Sequence, residues 1–271
     1  MGLDFILALV GFVTGVTAGF FGIGGGEIVV PAAVFAGFSY SHAVGISLFQ
    51  MLFSSLAGSF INYKKGLLDI KEGLAIALGG LFGAILGSFL LKHIDDRLLM
   101  GLFVAVVCYT CFKYAFVREG NYQSAHFQMH SKRTRFKIPL THWHLSQKHA
   151  ILALAGLLTG VFSIPLGMGG GILIIPFLGY FLKYETQKIV PLGLFFVIFS
   201  SLSGVVALTH AGVLTPHVLW IGFLTGMGAL AGVGLGIKLI LVATEKIHRV
   251  LLLSIYVLSI LATLYKLIAE L

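Results

Sequence analysis

The sequence predicts an all-α polytopic membrane protein made of two inverted repeats, each a Gly-tipped re-entrant helix hairpin followed by three full transmembrane helices. Three observations predict this fold class: the hydropathy, an internal repeat, and the distribution of Lys and Arg. Hydrophobic residues make up 58% of the 271, charged residues only 10%, and the mean hydropathy is +1.01. These values lie outside the range of ordinary soluble domains.

Six apolar runs each approach the roughly 20 residues that a helix needs to cross a bilayer. They cover 43–61, 72–91, 98–117, 189–208, 218–239 and 250–268. A further run, 3–21, has no Lys or Arg before it and is followed by glycines rather than by a cleavage site. We therefore interpret this run as part of the mature structure and not as a signal peptide.

An internal repeat links the two halves of the chain. Residues 15–31 read GVTAGFFGIGGGEIVVP and residues 160–176 read GVFSIPLGMGGGILIIP, which align without a gap. After a shift of one residue, FSSLAG at 53–58 aligns with FSSLSG at 199–204. The sequence thus indicates a duplication, with a first membrane repeat at 1–117, a basic loop at 118–149 and a second membrane repeat at 150–271.

The distribution of basic residues gives each repeat an orientation, because short cytoplasmic loops are enriched in Lys and Arg. The loop 118–149 carries many basic residues and one acid, Glu119, so we assign it to the cytoplasm. Counting spans from there places Lys64 and Lys65 inside, whereas the equivalent residues His210 and Ala211 fall outside. Equivalent loops carry opposite charge bias, which predicts inverted repeats with both termini outside.

This topology requires the apolar pair that opens each repeat to return to its starting face as a hairpin. The second arms, 28–37 and 172–182, hold about ten residues, or roughly 15 Å of helix. That length reaches only half of the bilayer. We therefore expect two re-entrant hairpins that enter from opposite faces, with their glycine tips near the midplane.

Glycines of two kinds are distinguished by their spacing. Stripes at helical spacing predict close helix packing; they are Gly11, Gly15 and Gly19, Gly79, Gly83 and Gly87, and Gly228, Gly232 and Gly236. Three consecutive glycines instead break a helix, which is tolerated in a membrane only where the backbone is buried in protein or lines a polar cavity. The tips are thus either packed turns or anion sites at the N-termini of the short helices that follow.

Polar residues in the spans supply further candidates for a binding site. Glu27 is the acidic residue that this topology places deep in the membrane, where ionisable groups are costly and commonly functional. It carries the coupling proton in one interpretation and caps its own helix in the other. The complete predicted substrate-binding set is Gly24, Gly25, Gly26, Glu27, Ser47, Gln50, Ser54, Gly169, Gly170, Gly171, Ile172 and Ser200. Serine hydroxyls bonded to their own helix backbone remain the structural alternative.

Two copies of GxGGG, each followed five residues later by Pro, resemble the TauE/SafE sulfite exporter family of membrane proteins. The resemblance covers 5–117 and 150–268. It implies a transporter in the cytoplasmic (inner) membrane that exports or exchanges sulfur-containing anions such as sulfite, thiosulfate or organosulfonates. The two copies differ locally, because Ile172 stands in the second repeat where the first has Glu27.

From these observations we expect a secondary transporter of small anions that works by alternating access, with Glu27 as the proton-coupling group. A cation carrier that uses Glu27 is the alternative. The spans contain neither HExxH nor GxSxG, so an enzyme is not predicted.

The expected partners are a small anionic substrate and membrane lipid, with a homo-oligomer left open. No nucleic acid and no cofactor is expected. The basic loop 118–149 is predicted to lie on anionic lipid. A metal site using His126 and His130 is the minor alternative there.

Overall fold

The computed structural model describes residues 2–116, 142–171, 173–174, 177–178, 182, 184, 186–239 and 245–269, and every regular element in these ranges is an α-helix. The helices with complete bounds are α1 Gly2–Phe21, α2 Gly26–Phe35, α3 Tyr40–Lys64, α4 Ile70–His93, α5 Asp96–Phe116, α6 His142–Ser163, α7 Thr186–His210, α8 Pro216–Leu239 and α9 Glu245–Ala269.

Among the described residues, five helices are long and apolar enough to cross a membrane: Tyr40–Lys64, Ile70–Leu91, Lys188–His210, Pro216–Leu239 and Val250–Ile268. They coincide with five of the six predicted spans. The sixth predicted span, 98–117, is helical in α5 as far as Phe116 but is not among these five. The all-helical, polytopic membrane fold is confirmed, whereas the inverted orientation of the repeats stays a prediction.

The short second arm of the first hairpin has the predicted length. α1 ends at Phe21, the tip follows at Gly22–Gly25, and α2 is a helix of 10 residues. In the second repeat the tip follows α6, and the described residues from 171 to 178 are helical. Both hairpins therefore join a longer first arm to a helix that begins directly after the last glycines of the tip.

Residues at the turn between α3 and α4 fix where these helices end and begin. The carboxylate of Asp69 accepts hydrogen bonds from the backbone N–H groups of Lys71 and Glu72 at 3.0 and 3.3 Å. An Asp in this position satisfies N–H groups that have no partner within the helix. The first turn of α4, which includes Glu72, is thereby held in place.

The first helix of each repeat packs mainly against the other repeat. α1 lies along α8, and its counterpart α6 lies along α4. The glycine stripes make this approach close: a Cβ added to Gly15 would overlap the carbonyl of Ala229, and one added to Gly83 would overlap that of Leu157. The predicted packing role of these stripes is confirmed, and the two repeats are interlocked.

The packing has the same pattern when the repeats are exchanged. In the first repeat α3 packs on α8, and in the second repeat its counterpart α7 packs on α4. The counterparts also contact each other, α3 with α7 and α5 with α9. Each helix therefore has the same neighbours as its counterpart in the other repeat. Such an arrangement brings the two hairpins, which are distant in sequence, to the middle of one bundle.

The segment 118–149 differs from a simple loop at its C-terminal end. α6 begins at His142, so the last eight residues of that segment are helical. The predictions for His126 and His130 and for most of the basic residues of this segment lie outside the described residues.

Candidate functional site

The two glycine tips lie against each other, backbone to backbone. A Cβ added to Gly26 would lie 2.9 Å from the Cα of Met168, and one added to Gly171 would lie 2.7 Å from the Cα of Ile23. Gly26 is the counterpart of Gly171, and Ile23 is the counterpart of Met168. The contact is thus reciprocal, and it brings the two predicted glycine motifs into a single site.

Consecutive glycines at each tip have backbone angles that other residues rarely adopt. Gly24 and Gly25 have φ of +96° and +98°, and Gly169 and Gly170 have φ of +63° and +75°. A side chain at these positions would be strained because of its Cβ. The glycines are therefore required by the conformation of the tips as well as by their close contact.

Serine hydroxyls from the two equivalent helices hold the tips. Ser54 on α3 donates to the carbonyl of Gly24 at 3.2 Å, and Ser200 on α7 donates to the carbonyl of Gly169 at 3.1 Å. Ser47 donates across the repeats to the carbonyl of Gly167 at 2.8 Å. The hydroxyls of Ser54 and Ser200 also lie within 3.2 and 3.3 Å of the carbonyls of Met51 and Val197 on their own helices, so each shares its proton between the tip and its own helix.

Met51 fills the space between the tips. Its Sδ would lie 2.9 Å from a Cβ on Gly24 and 2.6 Å from a Cβ on Gly169. Val197 is likewise close to both positions. Met51 is not among the predicted site residues because it is apolar, although it is one residue from Gln50 in the span that carries the other candidates.

Two predicted polar residues keep atoms without partners. Gln50 is fully buried, and neither its amide oxygen nor its amide nitrogen has a hydrogen-bond partner within the described part of the chain. Glu27 is also buried, and its Oε1 has no partner there either. Such groups cost free energy unless a ligand or water satisfies them. Both residues belong to the first repeat.

The second repeat is less polar at these positions. The counterpart of Gln50 is Phe196, which is buried with its ring edge 2.6 Å from a Cβ on Gly170. The counterpart of Glu27 is Ile172, which lies outside the described residues. The repeats therefore share the conformation of the tips but differ in the polar groups around them.

Ser163 is a polar residue at the second tip that the sequence analysis missed. It is the last residue of α6 and is fully buried, and its Oγ has no hydrogen-bond partner among the residues that the structure describes. Its Cβ lies 2.9 Å from the position of a Cβ on Gly170. Its position just before the second glycine motif was the feature of the sequence that could have identified Ser163 as a site residue.

The backbone near Glu27 is held by the last helix. The Ser259 hydroxyl on α9 donates to the carbonyl of Glu27. The first N–H groups of α2, at Gly26 and Glu27, have no acceptor within the helix itself. The N-cap residue of α2 is Gly25, and no side-chain hydrogen bond caps the helix there. The interpretation of Glu27 as a helix cap stays a prediction.

No group of three or more His, Cys, Asp or Glu side chains that could hold a metal ion is found among the described residues. The polar groups at the tips are the backbone N–H groups that open α2, the amide of Gln50, the hydroxyl of Ser163 and the carboxyl group of Glu27. The N–H groups, the amide nitrogen and the hydroxyl are hydrogen-bond donors, which suit the oxygen atoms of a small oxyanion or of water.

Comparison with known proteins gives one family. A family model described as Sulfite exporter TauE/SafE matches residues 7–263. The chain is 29% identical over 210 residues to a probable membrane transporter protein of Methanocaldococcus jannaschii, covering 74% of this chain and 71% of the relative. It is 26% identical over 234 residues to a probable membrane transporter protein of Bacillus subtilis, covering 80% of both chains. No solved structure matches.

Proposed function

Because the chain belongs to the sulfite exporter TauE/SafE family of membrane transporters, we propose that it is a secondary transporter of small sulfur-containing anions. We propose more narrowly that it exports these anions across the cytoplasmic (inner) membrane. Sulfite, thiosulfate and organosulfonates are the substrates to test. The paired glycine tips with unsatisfied buried polar groups around them are the observation that supports this proposal.

The chemistry of the tips favours an anion with several oxygen atoms. The N–H groups that open α2 and the amide of Gln50 are donors, and a helix N-terminus carries a partial positive charge. A sulfite or sulfonate group presents three oxygens that accept from such donors. The same arrangement of a broken helix against a bound anion occurs in inverted-repeat transporters.

The contact between the tips means that binding requires movement. Gly26 lies against Met168, and Gly171 lies against Ile23, so the space between the backbones is closed in this conformation. Alternating access of two inverted halves would separate these contacts on one face at a time. We propose the present conformation as a closed state of that cycle.

Glu27 is the proposed proton-coupling group. An ionised carboxylate beside a bound anion would repel it, and an ionised carboxylate without a cationic partner is costly to bury. A protonated Glu27 would avoid both costs and could release its proton when the site opens. A cation coupled through an ionised Glu27 is the alternative, and it predicts dependence on that cation instead of on protons.

The test is transport in proteoliposomes. Efflux and uptake would be measured for sulfite, thiosulfate, sulfoacetate, taurine and sulfate, each with and without an imposed pH gradient. Flux of one or more sulfur oxyanions above that of protein-free liposomes, and driven by the pH gradient, is expected. Flux that follows a sodium gradient and not the pH gradient would favour the cation-coupled alternative. The absence of flux for every anion under either gradient would overturn the proposed substrate class.

A further inference from the structure

A charged cluster joins the two repeats at the end of the bundle where α3 ends and α4 and α7 begin. Glu72, in the first turn of α4, accepts a hydrogen bond from Lys148 Nζ on α6 at 2.6 Å. Lys188 Nζ, in the first turn of α7, lies 2.8 Å from the same carboxylate. The carboxylate thus comes from the first repeat, whereas the ammonium groups come from α6, which begins in the segment 118–149 and continues into the second repeat, and from α7 of the second repeat.

The cluster is only partly exposed, which strengthens the electrostatic attraction between the Glu72 carboxylate and the two ammonium groups. The Glu72 side chain is 8% exposed, and those of Lys148 and Lys188 are 31% and 38% exposed. Solvent screens the ion pairs less than it screens pairs on an open surface. The two Nζ atoms also lie 5.3 and 4.3 Å from the centre of the Tyr184 ring. Burial raises the pKa of Tyr184 to about 12, so the ring stays neutral near pH 7.

Two polar residues lie on α3 close to this cluster's end of the bundle. Ser59 and Asn62 are each 4% exposed, and neither Ser59 Oγ nor Asn62 Nδ2 has a hydrogen-bond partner in the described part of the chain. They share a helix face by their spacing of three. The turn that follows α3, from Gly66 to Lys71, lines a surface depression of about 590 Å³ together with Lys188.

The second repeat provides an internal comparison for these residues. The counterparts of Ser59 and Asn62 on α7 are Val205 and Leu208, which are buried as well. The counterpart of Glu72 is Val218, again buried. The fold therefore accepts apolar residues at all three positions, so packing alone does not require polar groups at the α3–α4 end.

We propose that Ser59 and Asn62 line a path for the transported oxyanion between the glycine tips and the α3–α4 end, and that the Glu72–Lys148–Lys188 cluster closes this path in the present conformation. This inference rests on the proposed transport function. In the closed state the two polar groups are buried without partners. When the cluster separates, water and the substrate satisfy them, and the lysines present positive charge at the opening.

Separation of the cluster provides the conformational step, because its partners belong to different repeats. Movement of the turn before α4 and of its first helical turn, away from Lys148 and Lys188, would break two ion pairs at once, while the glycine contacts between α4 and α6 further along these helices stay in place. The lysines, which are already partly exposed, would become hydrated, and Glu72 would face an open aqueous entrance. The equivalent position at the opposite end carries no carboxylate, since Val218 stands where the first repeat has Glu72.

The experiment measures the accessibility of Asn62→Cys in a Cys108→Ser, Cys111→Ser background. A membrane-impermeant thiol reagent is applied to sealed vesicles of both orientations, with the cluster intact and with Glu72→Gln. We expect Glu72→Gln to increase the labelling rate at least about tenfold from one face only. A tenfold change in an equilibrium corresponds to about 1.4 kcal/mol, and Glu72→Gln removes both ion pairs of the closed state at once.

Leu208→Cys on α7 is the matched control, because it is the counterpart of Asn62 at the other end. Its labelling should not increase with Glu72→Gln. Lys188→Gln, which leaves Lys148 paired with Glu72, should give a smaller increase at Asn62→Cys. Ser59→Cys replaces Asn62→Cys if the latter is not recovered as folded protein by size-exclusion chromatography.

Three results would overturn the inference: fast labelling of Asn62→Cys with the cluster intact, no increase with Glu72→Gln, or an equal increase at Leu208→Cys. The last would mean that the substitution loosens the whole bundle. The labelling needs no substrate. Failure to transport sulfur anions would therefore reject the proposed function without deciding this test, and a negative labelling result would leave the transport assay to stand.

Discussion

Ser54 donates a hydrogen bond to the carbonyl oxygen of Gly24 at 3.2 Å, from a helix to the tip of a hairpin 30 residues earlier in the chain. The second repeat forms the same bond between Ser200 and Gly169 at 3.1 Å. A carbonyl in a broken helix end needs such a donor, because water is excluded from the hydrocarbon region. The shared bond indicates that these serines shape the tips.

Ser54→Ala and Ser200→Ala should each lower stability by about 1 kcal/mol, because a buried carbonyl loses its donor. Thermal unfolding in detergent would measure this, with Ser55→Ala as control, since Ser55 donates only to Leu52 on its own helix. Equal stability of Ser55→Ala and Ser54→Ala would contradict the structural role. Transport by the two tip variants should fall together.

Gly25→Val and Gly170→Val should each abolish transport without preventing membrane insertion. A side chain at Gly25 would lie 2.9 Å from the carbonyl oxygen of Thr14, at a φ of +98°. Gly37→Val is a matched control, because Gly37 has a φ of +96° but no described atom within 4 Å of an added Cβ. Normal transport by both tip variants would make the tips mere packing turns.

Glu27→Gln separates the interpretations of this carboxyl group. The amide has the shape of a protonated carboxyl but cannot titrate, so anion binding should persist while its pH dependence is lost. Binding at several pH values and gradient-driven flux would be measured on the same preparation. Abolition of cation-dependent binding would instead identify Glu27 as an ionised cation ligand. Unchanged binding and unchanged pH dependence would leave Glu27 as a helix cap.

Gln50→Leu should raise thermal stability and lower transport. The substitution removes two buried polar atoms that lack partners, a change worth about 1 kcal/mol or more. Phe196→Leu provides the comparison at the equivalent position of the second repeat, where only packing changes. If Gln50→Leu keeps full transport, Gln50 is not part of the substrate site.

The inverted topology can be tested by cysteine accessibility. Single cysteines in 38–42 and in 183–188, in a background without native cysteines, should react from opposite faces of sealed vesicles. The two segments follow the second arms of equivalent hairpins, so the test compares like with like. Reaction of both from the same face would mean that the repeats are parallel.

Local patterns predicted the parts of this fold that depend on local chemistry. The second arm of the first hairpin is expected at 28–37, and α2 has that length at Gly26–Phe35, two residues earlier. The glycine stripes predicted close packing. The residue type of Ser54 and Ser200 suggested substrate contact, which stays a prediction; in this conformation both hydroxyls lie within hydrogen-bond distance of a tip carbonyl and of a carbonyl of their own helix. A single sequence does not distinguish these roles, because a buried hydroxyl serves either purpose.

Long-range pairings could not be predicted in the same way. Glu72 meets Lys148 and Lys188, which lie 76 and 116 residues away in the chain. Periodicity and hydropathy describe each helix separately and do not specify its neighbour. The packing of α1 and α6 against helices of the opposite repeat is a property of the assembled bundle. The polar groups that meet because of this packing can therefore be identified only in the structure.

The packing of α1 along α8 has a consequence for biosynthesis. The glycine face of α1 enters the membrane early, but the helix that covers it is synthesised about 200 residues later. Until then α1 must remain in lipid or against a temporary neighbour. Its counterpart α6 differs, because the partner of α6, α4, is already inserted when α6 is made. A fragment that ends at residue 117 would lack the surface that covers α1. The boundary between the sequence repeats is therefore not a boundary between independently folding units.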